Sequence, residues 1–125
     1  MTITLTNEES EEYFYNALCN GAGYIQGHGV YIDYDENDYD EAKNKLSNPC
    51  IEDVLMQILR DGKELKLVDE EGEGEYTRSI TLKDVHDRVQ KTDLGHLQDM
   101  IDENDDAITA DVILQTVFLE DVIFG

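Results

Sequence analysis

The chain has 125 residues, of which 30 are Asp or Glu and nine are Lys or Arg, so its formal net charge at pH 7 is -21. A protein of this charge is repelled by nucleic-acid phosphates and by anionic lipid head groups, which argues against direct binding to nucleic acid or to a membrane surface. Hydrophobic residues make up 40% of the chain, more than a disordered acidic tail contains. We therefore expect one folded domain over residues 1–125.

The sequence also indicates where the protein resides. It has no run of about 20 apolar residues, and its N-terminus lacks the basic start and apolar core of a signal peptide. We therefore expect a cytoplasmic protein, in the host cytoplasm if a phage encodes it. The two cysteines, Cys19 and Cys50, lie 31 positions apart, which is neither a CxxC pair nor a disulfide framework. Their pattern predicts reduced, partly buried thiols.

The charge is unevenly distributed along the chain. Residues 1–42 carry ten acids and no base, residues 43–91 carry eleven acids and nine bases, and residues 92–125 carry nine acids and no base. Both ends of the chain are therefore purely anionic, whereas the middle is close to neutral.

Hydrophobic periodicity, capping residues and turn residues predict the secondary structure. The predicted elements in chain order are a strand over 2–6, a helix over 7–18 capped by Thr6 or Asn7, a strand over 24–34, a helix over 35–46, a helix from Pro49 to 60, a hairpin of strands 65–68 and 76–81 around an acidic tip at 69–75, and helices that start at Thr81, at Asp93 and at Asp106 or Thr109. Strands and helices do not alternate strictly. The pattern therefore predicts an α+β fold, with a small antiparallel sheet packed against several short helices.

No motif for catalysis or cofactor binding is complete. The glycines of 21–27 have GxGxxxG spacing and precede a strand, unlike a dinucleotide-binding turn. The pattern Asp33-x-Asp35-x-Asn37 begins like an EF-hand, but Gly and Glu are missing from the sixth and twelfth positions. No His or Cys has zinc-ligand spacing, and a Cys–His nucleophile pair has no local signature. We expect no enzyme, no cofactor and no metal site.

Acidic runs interleaved with tyrosines are the strongest functional signal. Carboxylates can steer a basic partner, and tyrosines are frequent anchors at protein interfaces. The predicted partner-binding residues are Tyr31, Asp33, Tyr34, Asp35, Glu36, Asp38, Tyr39, Asp40 and Glu41, supported by Glu70, Glu71 and Glu73 on the hairpin tip. Gly72 and Gly74 make that tip flexible in this interpretation, so 33–41 is expected to dominate.

In size and charge, the chain resembles the acidic DNA-mimic inhibitors of bacteriophages and mobile elements, a group that includes anti-restriction, anti-CRISPR and uracil-glycosylase inhibitor proteins. Segments 72–78, 82–89 and 110–125 also look like small uncharacterised phage proteins. The resemblance implies a monomeric or dimeric inhibitor that imitates phosphates and blocks a basic nucleic-acid-binding protein. It assigns no role to any single residue.

Two other interpretations of the sequence stay open. An assembly or regulatory module of a phage or mobile element could dock through the apolar C-terminus, residues 117–125, although packing of that segment into the core is favoured. The acidic runs could also be solvated surface only, as charge runs usually are, or an adaptation to high salt.

Overall fold

The computed structural model describes residues 2–125, and over these it shows an α+β fold with a single hydrophobic core. The helices are α1 (Asn7–Gly21), α2 (Glu36–Asn44), α3 (Ile51–Arg60), α4 (Leu82–Arg88), α5 (Leu94–Ile101) and α6 (Ala107–Leu119), and the strands are β1 (Val30–Asp33), β2 (Leu65–Asp69) and β3 (Arg78–Ile80). Short 3-10 helices span Tyr24–His28 and Val89–Lys91. The predicted fold class is confirmed.

The sheet is antiparallel with the order β1-β2-β3, so β1 and β3 are its edges. Val30 lies opposite Asp69, Ile32 opposite Leu67, and Leu65 opposite Ile80. Because side chains alternate along a strand, these residues share the inner face of the sheet. Tyr31, Asp33 and Lys66 lie on the outer face.

Helix α6 forms the centre of the core. Every residue from Thr109 to Phe118 is buried, as expected for a helix that is covered on all sides. It packs closely against α1, where a Cβ on Gly21 would lie only 2.8 Å from the Cβ of Ala110. The rings of Phe14 and Phe118 meet across the same contact, with centroids 6.1 Å apart.

The predicted strand over 2–6 is absent, and the predicted strand over 24–34 is confirmed only for Val30–Asp33. Residues 2–6 pair with no strand; the Leu5 amide donates instead to the Gln90 side chain, and Ile3 packs against the core. Residues 24–28 form a 3-10 helix that ends at Gly29, where φ is 82°. Alternating apolar residues predicted strands in both places, but short apolar runs also suit irregular or helical segments that lie against a core.

A half-buried carboxylate connects three helices. Glu11 of α1 accepts hydrogen bonds from Arg60 of α3 and His86 of α4, each at 2.9 Å. Burial acts to raise the pKa of Glu11, but the hydrogen bonds from His86 and Arg60 outweigh it, so this pKa lies below its ordinary value of 4.5. The charged form of Glu11 is therefore stabilised in the folded protein.

Glu11→Gln should lower the free energy of unfolding by about 1 kcal/mol at pH 7. Since the folded pKa is lowered, the contribution of Glu11 is present above pH 4.5 and is lost as the pH falls through its folded pKa. Urea unfolding at neutral and acidic pH should show the wild type and the variant converging in acid. The control is Glu12→Gln, which removes the same charge from the exposed residue next to Glu11. A difference that is constant with pH would contradict this role.

Candidate functional site

The acidic segment 33–41 begins at the end of β1 and continues into α2. Asp35 caps this helix, since its carboxylate accepts hydrogen bonds from the amides of Asn37 and Asp38 at 2.9 and 3.1 Å. The predicted helix is therefore present, starting at Glu36. Asp35 has a structural role that the sequence analysis did not assign to it.

Two tyrosines of this segment stack on each other. The rings of Tyr34 and Tyr39 are 4.7 Å apart and inclined by 22°. Together with Glu36 and Asp40 they line a cleft of about 250 Å³, which we call the tyrosine cleft. Burial, and after it the proximity of Tyr39, Asp33 and Glu36, raises the pKa of Tyr34, so its phenol is neutral at physiological pH.

The carboxylates around the tyrosine cleft have no cationic partners. Within residues 2–125, no acid of segment 33–41 forms an ion pair, whereas Lys45 pairs with Asp61 and Lys83 pairs with Asp87. Glu36, Asp40 and Glu41 are exposed, and Asp38 is half-buried. Helix α2 contains four acids and one base, Lys43, so its surface carries a net negative charge.

Two lysines, Lys63 and Lys66, lie near the end of β1 where the segment begins. Asp33 lies opposite Lys66 in the sheet register. A groove of about 450 Å³ has Asp33, Asp35 and Asp38 among its lining residues, together with Lys63 and Lys66. This groove has mixed charge, unlike the tyrosine cleft.

The hairpin tip lies at the other end of β1. Val30 pairs with Asp69, so the tip, which begins after Asp69, lies beside the start of β1. Helix α2 lies at the opposite end of β1, after Asp33. Glu70, Glu71 and Glu73 are exposed, as a steering surface requires. The two predicted acidic runs are therefore separate surfaces and do not form one continuous row of charges.

Hydrogen bonds to Asp69 connect the two ends of the tip. The buried carboxylate of Asp69 accepts from the Gly72 amide at 2.8 Å and from the Tyr76 amide at 3.1 Å. The Asp69 carbonyl accepts from the Gly74 amide. Asp69 therefore shapes the tip from within the protein.

Tyr31 borders a different depression from the other two tyrosines. A groove of about 650 Å³ runs along β1, and we call it the β1 groove; its lining residues are Leu18, Cys19, Ala22, Gly23, Gln26, Gly29, Val30, Tyr31, Ile32, Tyr34, Ile51, Glu52, Leu55 and Glu70. Tyr34 belongs to both depressions. The β1 groove therefore extends from the tyrosine cleft to the base of the hairpin tip.

Comparison of the chain with protein-family models, with curated proteins and with solved structures found no match. Within residues 2–125, none of the helices has both the length and the apolar character needed to cross a bilayer. Over the same residues, no group of three His, Cys, Asp or Glu side chains is placed to hold a metal ion.

The cysteines lie in a polar cluster at the surface. Cys19 and Cys50 are free and exposed, so the expectation of partly buried thiols is wrong. The Tyr15 hydroxyl donates to Asp53 at 2.8 Å and lies 3.5 Å from the Cys50 sulfur. Partial desolvation by its neighbours raises the pKa of the Cys19 thiol, although the residue is exposed, and this disfavours a thiolate nucleophile.

A buried polar network ties the C-terminus to α6, and the sequence analysis missed it. His28 Nε2 lies 3.0 Å from an Asp111 oxygen, and the Gln115 side-chain amide donates to the other Asp111 oxygen at 2.9 Å. The Phe124 ring stacks on His28 at 5.4 Å. Within residues 2–125, no hydroxyl or thiol hydrogen-bonds to His28, so this His–Asp pair lacks a nucleophile. The network serves to dock the tail.

Proposed function

We propose that this protein is a non-enzymatic inhibitor that binds a basic nucleic-acid-binding host or defence protein and imitates nucleic-acid phosphates. The observation that carries the proposal is the tyrosine cleft, where two stacked rings and two unpaired carboxylates converge. An arginine or lysine that normally contacts phosphate finds there both a negative charge and an aromatic face. Such side chains line the phosphate-binding surfaces of nucleic-acid-binding proteins.

The surrounding charge supports the same function. Acids three or four residues apart on a helix lie about 5–6 Å apart, a separation close to the spacing of phosphates along a strand. Glu36 and Asp40 have this relation on α2, and so do Asp38 and Glu41. The net charge of -21 adds long-range attraction toward a basic surface.

Replacing Asp35, Glu36, Asp38 and Asp40 with Asn or Gln should slow association with the partner roughly tenfold at low salt, because it removes four charges from the surface of α2. The partner is first captured from a bacterial lysate at low and high salt and identified. Association rates are then measured at several salt concentrations, and duplex DNA is added as a competitor. The variant should be less salt-sensitive, and DNA should displace the wild-type protein.

A matched control separates local charge from net charge. Exchanging the exposed acids Asp93, Asp99, Asp102 and Glu103 for Asn or Gln removes the same number of charges from the α5 region. It should slow association much less. Equal slowing by both variants would refute a binding surface on α2, and simultaneous binding of DNA and this protein with undiminished affinity would refute mimicry.

A second candidate function is an assembly module that docks through the C-terminus. Val122 and Ile123 are 45% and 39% exposed, although the preceding helix is buried. Binding that survives the change on α2 but is lost after Val122→Ser and Ile123→Ser would support this candidate.

A further inference from the structure

We propose that the β1 groove binds an extended segment of the partner in which basic and apolar residues alternate, and that this segment adds a fourth strand to the sheet beside β1. The inference rests on the proposed function for its basic partner and names the element of that partner that docks. Four observations carry it: the free edge of β1, the apolar wall opposite, the acidic lining, and the alternation of the two faces.

The main chain of β1 is unpaired along the groove. The Glu70 amide donates to the Gly29 carbonyl at 3.0 Å, which makes Gly29 and Glu70 a hydrogen-bonded pair of the antiparallel ladder. Because such pairs alternate with non-bonded ones, Val30 and Ile32 direct their amides and carbonyls away from β2. Outside the β1–β2 ladder, no residue among 2–125 hydrogen-bonds to these groups. Val30 is only 2% exposed, whereas Ile32 is half-buried and is the more accessible of the two.

The groove follows the strand edge and has an apolar wall on its far side. Residues 29–32 all line the groove. Neighbouring side chains on a strand point to opposite faces of the sheet, so four consecutive residues can line one groove only if it runs along the edge of the strand. The end of α1 and the first turn of α3 form the facing wall, with Leu18, Ile51 and Leu55. Ile51 is 50% exposed, so apolar surface is available to a ligand.

The charge of the groove selects the ligand. Glu52 and Glu70 are among its lining residues, whereas no Lys, Arg or His is. On a strand added beside β1, one set of side chains would lie on the inner face beside Val30 and Ile32, and the other set on the outer face beside Tyr31 and Asp33. The inner set is therefore apolar and the outer set basic, which is the pattern of strand addition to a sheet edge.

The probe is the heptapeptide acetyl-Lys-Val-Lys-Val-Lys-Val-Lys-amide, and the control is acetyl-Lys-Lys-Lys-Lys-Val-Val-Val-amide, which has the same composition and charge. The alternating peptide should bind at least about tenfold more tightly, because only it matches both faces. Hydrogen exchange at the Val30 and Ile32 amides should slow when it is bound. Methylating the peptide nitrogens that face β1 should abolish both effects while keeping the charge.

Variants of the protein place the peptide in the groove. Ile51→Lys puts a cation on the groove wall at an exposed position and should weaken binding of the alternating peptide about tenfold. Ile108→Lys is the matched control, because Ile108 is 52% exposed and does not line the groove. Equal loss in both variants would overturn the assignment to the groove.

The results distinguish this inference from the proposed function. Equal affinity for the alternating and block peptides overturns strand addition but leaves phosphate mimicry on α2 intact. Protection of the Val30 and Ile32 amides in a homodimer without peptide also overturns it, since a second copy would then occupy the edge. Failure of the α2 variant to slow association refutes mimicry, while peptide binding in the groove would still stand.

Discussion

Replacing Gln115 with alanine should lower the free energy of unfolding by about 2 to 4 kcal/mol, because it leaves several buried polar groups without partners. The side chain is 3% exposed and makes four hydrogen bonds. Its amide donates to Asp111 and to the Phe124 carbonyl, and its oxygen accepts from the Ile123 and Phe124 amides. One side chain thus satisfies hydrogen-bonding groups of both α6 and the tail.

The measurement is urea unfolding combined with hydrogen exchange. The Ile123 and Phe124 amides should exchange faster in Gln115→Ala, since they lose their acceptor. Gln98→Ala removes a single exposed hydrogen bond to Asp102 and is the control, with an expected change below about 0.5 kcal/mol. If the tail amides stay protected in Gln115→Ala, the tail is held by its ring contacts instead.

Local signals in the sequence are sufficient for most of the helices. Thr6 caps α1 and Thr81 caps α4 as predicted, and Asp35 caps α2 in the same way. A capping residue acts within one turn, so its effect can be inferred without knowing the fold. The acidic face of α2 could likewise be predicted, because it depends only on residues within the helix itself.

The rest depends on contacts between distant residues. The β1 groove exists because the end of α1 and the start of α3 lie on one side of β1 in the folded chain. No periodicity in the sequence encodes that arrangement. Gln115 and Asp111 lie in a run that is otherwise apolar except for Thr109 and Thr116. The tail residues that hydrogen-bond to Gln115 follow eight and nine positions later. Polar residues inside such a run are the signal that could have revealed a buried network.

The acidic run 69–75 shows why charge alone is a poor guide to function. All five acids of this run have the same charge in the sequence, but Asp69 is 4% exposed while Glu70, Glu71, Glu73 and Glu75 are exposed. A carboxylate that accepts main-chain hydrogen bonds inside a turn stabilises the turn and is not available to a partner.

Asp69→Ala should therefore lower the free energy of unfolding by about 2 to 3 kcal/mol, because the Gly72 and Tyr76 amides lose the buried carboxylate that accepts their hydrogen bonds. Glu75→Ala removes the same charge from an exposed position of the same turn and is the matched control, with an expected change within about 0.5 kcal/mol. Relief of charge repulsion is common to both variants, so the difference between their unfolding free energies isolates the hydrogen bonds. Equal stabilities would show that Asp69 acts only through its charge.

If the difference is found, a loss of partner binding in Asp69→Ala reports a disordered tip, whereas a loss in a variant of Glu70, Glu71 and Glu73 reports the charge that a basic partner meets.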